Sequence, residues 1–162
     1  MKIPLGMSLP HRSPDAIDML AVRQVAQRAD ALGFRDLWVT ENTLDHVFCF
    51  DPVVVLTYAA AVTTSIRLGV AVVVLPVHNP IHVAHQVATL DYVSHGRAIL
   101  GVGLGRDHHY TQFQVSTERR VRESRPTGVR SDERVPVATP PPLSRVQSAL
   151  GRVCADLKRL GP

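Results

Sequence analysis

The chain has 162 residues and a mass of 17.8 kDa, the length of one ordinary domain. Its 45% hydrophobic and 20% charged residues match a globular balance and exclude wholesale disorder. The net charge of +4 comes from 16 arginines with Lys2 and Lys158, dispersed without interleaved aromatics, so no nucleic-acid partner is expected. The longest apolar run, Val70–Val77, falls short of the roughly 18 residues that span a bilayer, so no membrane is expected either. The start MKIPLGMSLP lacks the apolar core of a signal peptide, and Cys49 and Cys154 make no disulfide scaffold. A cytoplasmic location is expected.

In chain order, apolar β-branched runs begin near Ile3, Phe34, Ile66 and Arg97, spaced by 31, 32 and 31 residues. That period suits a repeating strand-plus-crossover unit. The third run, IRLGVAVVVL, and the fourth, RAILGVGLG, are apolar on both faces, as parallel strands covered on both sides require. Ser13-Pro14, Asp51-Pro52 and Asn79-Pro80 each combine an N-cap side chain with proline at the first helical position, predicting three helix starts. Val22, Val25, Ala29 and Leu32 make one apolar stripe on the first helix. Gly33 and Gly96 sit where a left-handed residue closes a helix. The reading is β-α-β-α-β-α-β, four parallel strands and three crossover helices. It fits either a doubly wound sheet or a (β/α)8 barrel. The loop after the first strand, SLPHRSPD, has no glycine, so it carries no dinucleotide fingerprint.

The last 40 residues differ. They hold six of the 12 prolines, and all eight aromatic residues and all eight histidines fall at or before Phe113. Three segments follow: an ordered part over 1–122, a linker over 123–142 and an amphipathic helix over 143–161. Leu143, Val146, Leu150, Val153, Leu157 and Leu160 form the stripe of that helix.

In either architecture ligands collect at the carboxyl ends of the strands. There the sequence places Pro10, His11 and Arg12; then Thr40, Glu41, Asn42, Asp45 and His46; then Pro76, His78 and Asn79; then Arg106, Asp107, His108, His109 and Tyr110. The cluster Gly101-Val102-Gly103-Leu104-Gly105 reads equally as close packing or as a phosphate contact. His82 and His85, three apart, and the adjacent His108-His109 lie in no familiar metal-ligand spacing. Cys49, in the apolar VFCF run, reads as a small hydrophobe rather than a nucleophile.

The phrases LGFRDLWVTEN, DPVVVLTYAAAVTTSIRLGVAVVVLPVHNP, AHQVATLDYVSHGR and AILGVGLGRDHHYTQF resemble the luciferase-like monooxygenase superfamily, the flavin- and deazaflavin-dependent barrel oxidoreductases. The resemblance covers about the first three-quarters of the chain. It implies an α/β fold that is part of a (β/α)8 TIM barrel, about four βα units. It implies FMN or a deazaflavin (coenzyme F-420) as cofactor and a small-molecule substrate. The implied cofactor-binding residues are Glu41, Asn42, His78, Gly103, Gly105 and Asp107. Glu41-Asn42 stand where many members carry a histidine. The resemblance also implies a non-proline cis peptide within Ala71–Val74. The family's flavin phosphate contacts come mostly from later strands, and a whole barrel takes about 250 residues. The chain therefore reads as a truncated or frame-shifted product, with weak cofactor binding or none and no measurable turnover of its own. The alternative is a non-catalytic half-barrel held by self-association, most simply a homo-oligomer, or by a partner.

Overall fold

The computed structural model describes residues 3–43 and 46–116. Its elements are β1 (Gly6–Ser8), β2 (Arg12–Ser13), α1 (Met19–Ala31), β3 (Asp36–Val39), β4 (Phe48–Cys49), α2 (Pro52–Val62), β5 (Arg67–Val74), a 3-10 turn over Leu75–Val77, α3 (Pro80–Val93), β6 (Ala98–Gly103) and α4 (Asp107–Gln112). The expected linker 123–142 and helix 143–161 lie outside the described residues. No helix among the described residues is long and apolar enough to cross a membrane.

Four strands form one parallel sheet in the order β1-β3-β5-β6. Gly6 stands opposite Asp36, and Asp36 opposite Arg67. Strand order thus follows chain order without a reversal. Both common doubly wound orders reverse direction within their first four strands, so the sequential order decides for barrel winding. The four strands begin at residues 6, 36, 67 and 98, which keeps the period read from the sequence.

The described residues fall in two compact units. The first holds residues up to Val73 with Arg97–Val102, and the second holds Val74–Gly96 with the residues from Gly103. In the first unit, Val22, Ala26 and Ala29 of α1 are buried, as are Val55, Leu56, Ala59 and Ala60 of α2. Leu37 and Val39 of β3 and Leu68 and Val70 of β5 complete this core. Between Leu37 and Val39, Trp38 turns to the other face of the sheet. Its ring lies where side chains from Gly6 and Gly69 would stand, so both neighbouring strands carry glycine there.

The amino end of this unit is pinned by ionisable groups. Buried Asp36 accepts from Arg35 Nε at 2.9 Å and from Arg67 Nε at 2.6 Å. Burial works to raise the Asp36 carboxyl pKa, but the bonds from Arg67 and Arg35 outweigh it and hold the carboxyl below its usual range. Asp30, near the end of α1, accepts from the Thr64 amide (2.6 Å) and hydroxyl (3.1 Å), the Ser65 amide (3.2 Å) and hydroxyl (2.6 Å), and the Ile66 amide (2.8 Å). Buried Arg97 holds the same turn from the other side. It donates to Thr63 Oγ1 at 2.9 Å, Thr63 O at 3.2 Å, Ile66 O at 3.0 Å and Ala60 O at 2.9 Å.

In the second unit, α3 buries Val83, Ala84 and Leu90, and Ser94 at its C-cap is fully buried. Two of the three predicted helix starts hold. Asp51 caps α2 through the Val54 amide and Asn79 caps α3 through the Ile81 amide. The third is corrected: α1 starts at Met19, capped by Asp18. Ser13 pairs instead with Phe48 in a small antiparallel ribbon, and its hydroxyl accepts from the Asp15 amide. The apolar stripe of α1 runs through Val22, Ala26 and Ala29, and Leu32 is exposed because the helix has ended before it. The first strand begins at Gly6 rather than near Ile3, and Ile3 and Leu5 are exposed. Gly33 and Gly96 have the expected positive φ.

Two outcomes are expected. Asp30 ionises at about 2 instead of 3.8: burial opposes this, and the Ser65 hydroxyl, the Thr64 and Ile66 amides and the Thr64 hydroxyl override it. The folded-state pKa is depressed, so the stability this group contributes is full above about pH 4 and is lost as the pH falls toward 2. Asp30→Ala should lower stability at neutral pH by about 1–3 kcal/mol. In urea titrations followed by far-UV circular dichroism, it should also lose less stability than the parent between pH 5 and 3. Gly69→Ala should cost about 1–3 kcal/mol by forcing the Trp38 ring aside. Trp38 is the only tryptophan, so its fluorescence maximum reports the displacement directly.

Candidate functional site

In the first unit the carboxyl ends of β1 and β3 are joined by a buried histidine. The Leu9 amide continues the pairing to Trp38 O at 3.0 Å. His11, 3% exposed, lies with Nδ1 2.8 Å from Leu9 O and with Nε2 3.0 Å from both the Thr40 amide nitrogen and Thr40 Oγ1. Thr40 Oγ1 in turn accepts from Asn42 Nδ2 at 2.7 Å. Glu41, 7% exposed, accepts from the Thr43 hydroxyl at 3.1 Å. The ribbon of β2 and β4 closes over this end, with Arg12 opposite Cys49 and the Phe50 amide bonded to His11 O at 3.0 Å. Phe48 and Phe50 meet edge to face at 5.4 Å. The half-buried Cys49 thiol turns to Phe50 O at 3.5 Å, as a small packed side chain does.

In the second unit β5 ends at Val74, and the 3-10 turn delivers His78 as the residue that follows it, beside the cap of α3. The His78 ring lies 6.1 Å from the Phe113 ring, tilted by 60°. After Gly103 the chain turns through Leu104–Arg106 into α4. The Arg106 amide donates to His109 Nδ1 at 2.9 Å, and the Tyr110 hydroxyl donates to Leu104 O at 2.6 Å. His109 and Tyr110 are buried. Gly105 has φ +68°, and a side chain there would overlap Val74. Asp107 is the exposed first residue of α4, where a negative charge faces the positive end of the helix dipole. The peptide bond between Ala71 and Val72 is cis, inside the stretch Ala71–Val74.

Of the residues singled out in the sequence, Glu41 and Asn42 stand together in the first unit, beside Thr40 and His11. His78, Gly103, Gly105 and Asp107 belong to the second unit, where His78 neighbours Phe113 and Gly105 lies against Val74 and His109. Sequence reasoning placed His11, Thr40 and His109 at the strand ends without a specific role and passed over Phe113. His11 and Thr40 are 29 residues apart, close to the repeat length, and each follows the carboxyl end of its strand, β1 or β3. That spacing was the one signal for the link. Among the described residues no group of three or more His, Cys, Asp or Glu side chains could hold a metal ion.

A profile of the family described as luciferase-like monooxygenase matches residues 4–125. The chain is similar to 4-hydroxyprotoasukamycin monooxygenase of Streptomyces nodosus subsp. asukaensis, with 37% identity over 106 residues, 62% of this chain and 29% of that protein. It resembles the solved structure of a monooxygenase from Streptomyces bottropensis, with a TM-score of 0.62, 28% identity, and 74% of this chain against 40% of that one. It also resembles the coenzyme F420 dependent tetrahydromethanopterin reductase from Methanopyrus kandleri, with a TM-score of 0.57, 26% identity, and 72% of this chain against 31% of that one. The chain spans less than half the length of each. The match covers three-quarters of the sequence, over the same strands and rims just described, and the chain belongs to the luciferase-like monooxygenase family.

Proposed function

We propose that the chain carries the ring-facing part of a flavin- or deazaflavin-dependent oxidoreductase, a monooxygenase or a reductase, acting on a small organic molecule in the cytoplasm. The observation that carries this reading is the set of polar groups at the carboxyl ends of strands in a member of this family, Asn42 above all, with its amide fixed by Thr40. The donor set fits the cofactor. A flavin or deazaflavin ring presents carbonyl acceptors and an imide N–H, and the Asn42 amide offers both a donor and an acceptor. Glu41 is a second acceptor and His78 a flat polar ring. The family resemblance assigns these three, with the backbone at Gly103 and Gly105 and with Asp107, to the cofactor, Glu41 and Asn42 from the first unit and the others from the second. Gly105 contributes through the shape of its turn, because Val74 already fills the space beside it. When bound, the cofactor supplies hydride transfer or oxygen chemistry. The residues here orient it and keep its polar edge satisfied away from water.

Resemblance to the family assigns most of the phosphate contacts to later barrel strands, and anion anchoring at helix N-termini is a large share of such affinity. Equilibrium dialysis of the 162-residue chain against FMN and against F420 should therefore show saturable but weak binding of one of them, with Kd well above micromolar. Micromolar or tighter binding would place an anion site within this chain. The absence of saturable binding to both at millimolar concentration would sink the assignment.

Self-association is the second reading, and β6 favours it. Among the described residues β6 has a strand neighbour on one side only, and Leu100 and Val102, two apart on one face, are exposed, as is Val72 of β5. Such an edge is a template for pairing with another chain. Light scattering over a concentration series should show dimers or larger species, and Val102→Lys should shift the distribution toward monomer. A stable monomer at high concentration would contradict this reading.

A further inference from the structure

We propose that His11 is a positioning residue of the candidate site. As a neutral imidazole protonated on Nδ1, it locks Thr40, and through the Thr40 hydroxyl it sets the amide of Asn42. The inference rests on the reading of Asn42 as a contact to the cofactor ring and names the device that orients it.

The protonation pattern follows from two backbone groups that have no choice of role. Leu9 O can only accept, so His11 Nδ1, at 2.8 Å, must carry the proton. The Thr40 amide can only donate, so His11 Nε2, at 3.0 Å, must present its lone pair. With the tautomer fixed in this way, the Thr40 hydroxyl at 3.0 Å from Nε2 has nothing to accept from the ring and turns its hydrogen toward it, sharing the one Nε2 lone pair with the Thr40 amide. Its oxygen lone pairs are then left for Asn42 Nδ2, at 2.7 Å. Each bond dictates the direction of the next, from Leu9 to His11 to Thr40 to Asn42. At its end, Nδ2 of Asn42 faces Thr40 and Oδ1 lies on the far side of the amide as the acceptor. An acceptor there suits a ligand that offers an N–H, such as the imide of a flavin or deazaflavin ring.

A purely packing role for His11 would require less. Joining β1 to β3 needs only the bonds to Leu9 and to the Thr40 backbone. The added link from the Thr40 hydroxyl to Asn42 joins nothing further in the sheet. It serves the orientation of one amide on the rim. His11 is nine-tenths and more buried, and the Phe50 amide bonded to His11 O fixes its backbone too, so the first member of the chain of bonds is itself immobilised.

Nitrogen-15 NMR of the full 162-residue chain tests this without any cofactor. His11 should show a protonated Nδ1 and an unprotonated Nε2; the opposite tautomer would overturn the proposal. Thr40→Val keeps the backbone donor and the fold and removes only the hydroxyl. It should move the Asn42 side-chain amide signals to the position of a free amide, while His11 keeps its tautomer. His11→Gln, which can place an amide oxygen where Nε2 stood, should preserve the Asn42 signals, and His11→Ala should lose them. Asn42 signals unchanged in Thr40→Val would overturn the proposal even if His11→Ala fails to fold. In titrations with FMN and F420, Thr40→Val should weaken binding about tenfold, the size of one lost hydrogen bond, and unchanged affinity would also overturn it. A parent chain that binds neither coenzyme defeats the functional reading, and the amide signals then decide the positioning role alone.

Discussion

The turn Thr63–Ile66, between α2 and β5, is gripped from both sides, and the first unit is organised around it. Asp30 takes three of its amides and two of its hydroxyls, and Arg97 takes the carbonyls of Thr63 and Ile66 with that of Ala60. A buried guanidinium is costly unless its N–H groups are answered, and the carbonyls of Ala60, Thr63 and Ile66 with the Thr63 hydroxyl answer those of Nη1 and Nη2. Burial pushes the Arg97 pKa down and the charge of Asp30 pushes it back up. The two groups thus stabilise each other across the turn they share. Residues distant in sequence, at the end of α1 and at the start of β6, are brought to one place. The next residue, Arg67, then stands opposite Asp36 and pairs with it. The register of β3 with β5 follows from that pair.

The two ends of the strands are built differently. At the amino end the charged groups answer one another and leave little for a ligand. At the carboxyl end of β1 and β3 the buried polar residues are His11 and Glu41, joined to Thr40, Asn42 and Thr43 in short local bonds. Barrels of this winding place stability at one end and chemistry at the other. A rim made of short bonds between neighbouring loops can be re-cut by changing one loop without disturbing the charges that hold the register.

The repeat length was legible because the strands β5 and β6 are apolar on both faces and stand out against their polar connections. Asp51-Pro52 and Asn79-Pro80 were legible as caps because each precedes a helix with no competing use for the side chain. Ser13-Pro14 misled for a physical reason: the backbone at Ser13 pairs with Phe48, a partner 35 residues away that no local rule can see. Trp38 explains Gly6 and Gly69 through a contact across three strands, which is likewise invisible to spacing. Glu41 and Asn42 were legible as polar residues ending a strand. The bond that orients Asn42 was not, because it depends on which nitrogen of His11 carries a proton, and only the backbone around it decides that.

The histidines divide by what their lone pairs are doing. His11 accepts the Thr40 amide at Nε2, and His109 accepts the Arg106 amide at Nδ1. Both are buried, and each holds a turn at the rim of its own unit. A nitrogen already bonded to a backbone N–H cannot take a proton from a substrate without breaking the turn it supports, so neither serves as a general base. This removes from acid–base roles two of the histidines that the sequence places at strand ends. On the proposed reading, proton handling at such a rim falls instead to side chains that can change state without unfolding a loop, or to the cofactor itself. The protein's part is then geometric. Its buried histidines hold the loops, and the loops hold the amide and carboxylate of Asn42 and Glu41 in fixed orientations.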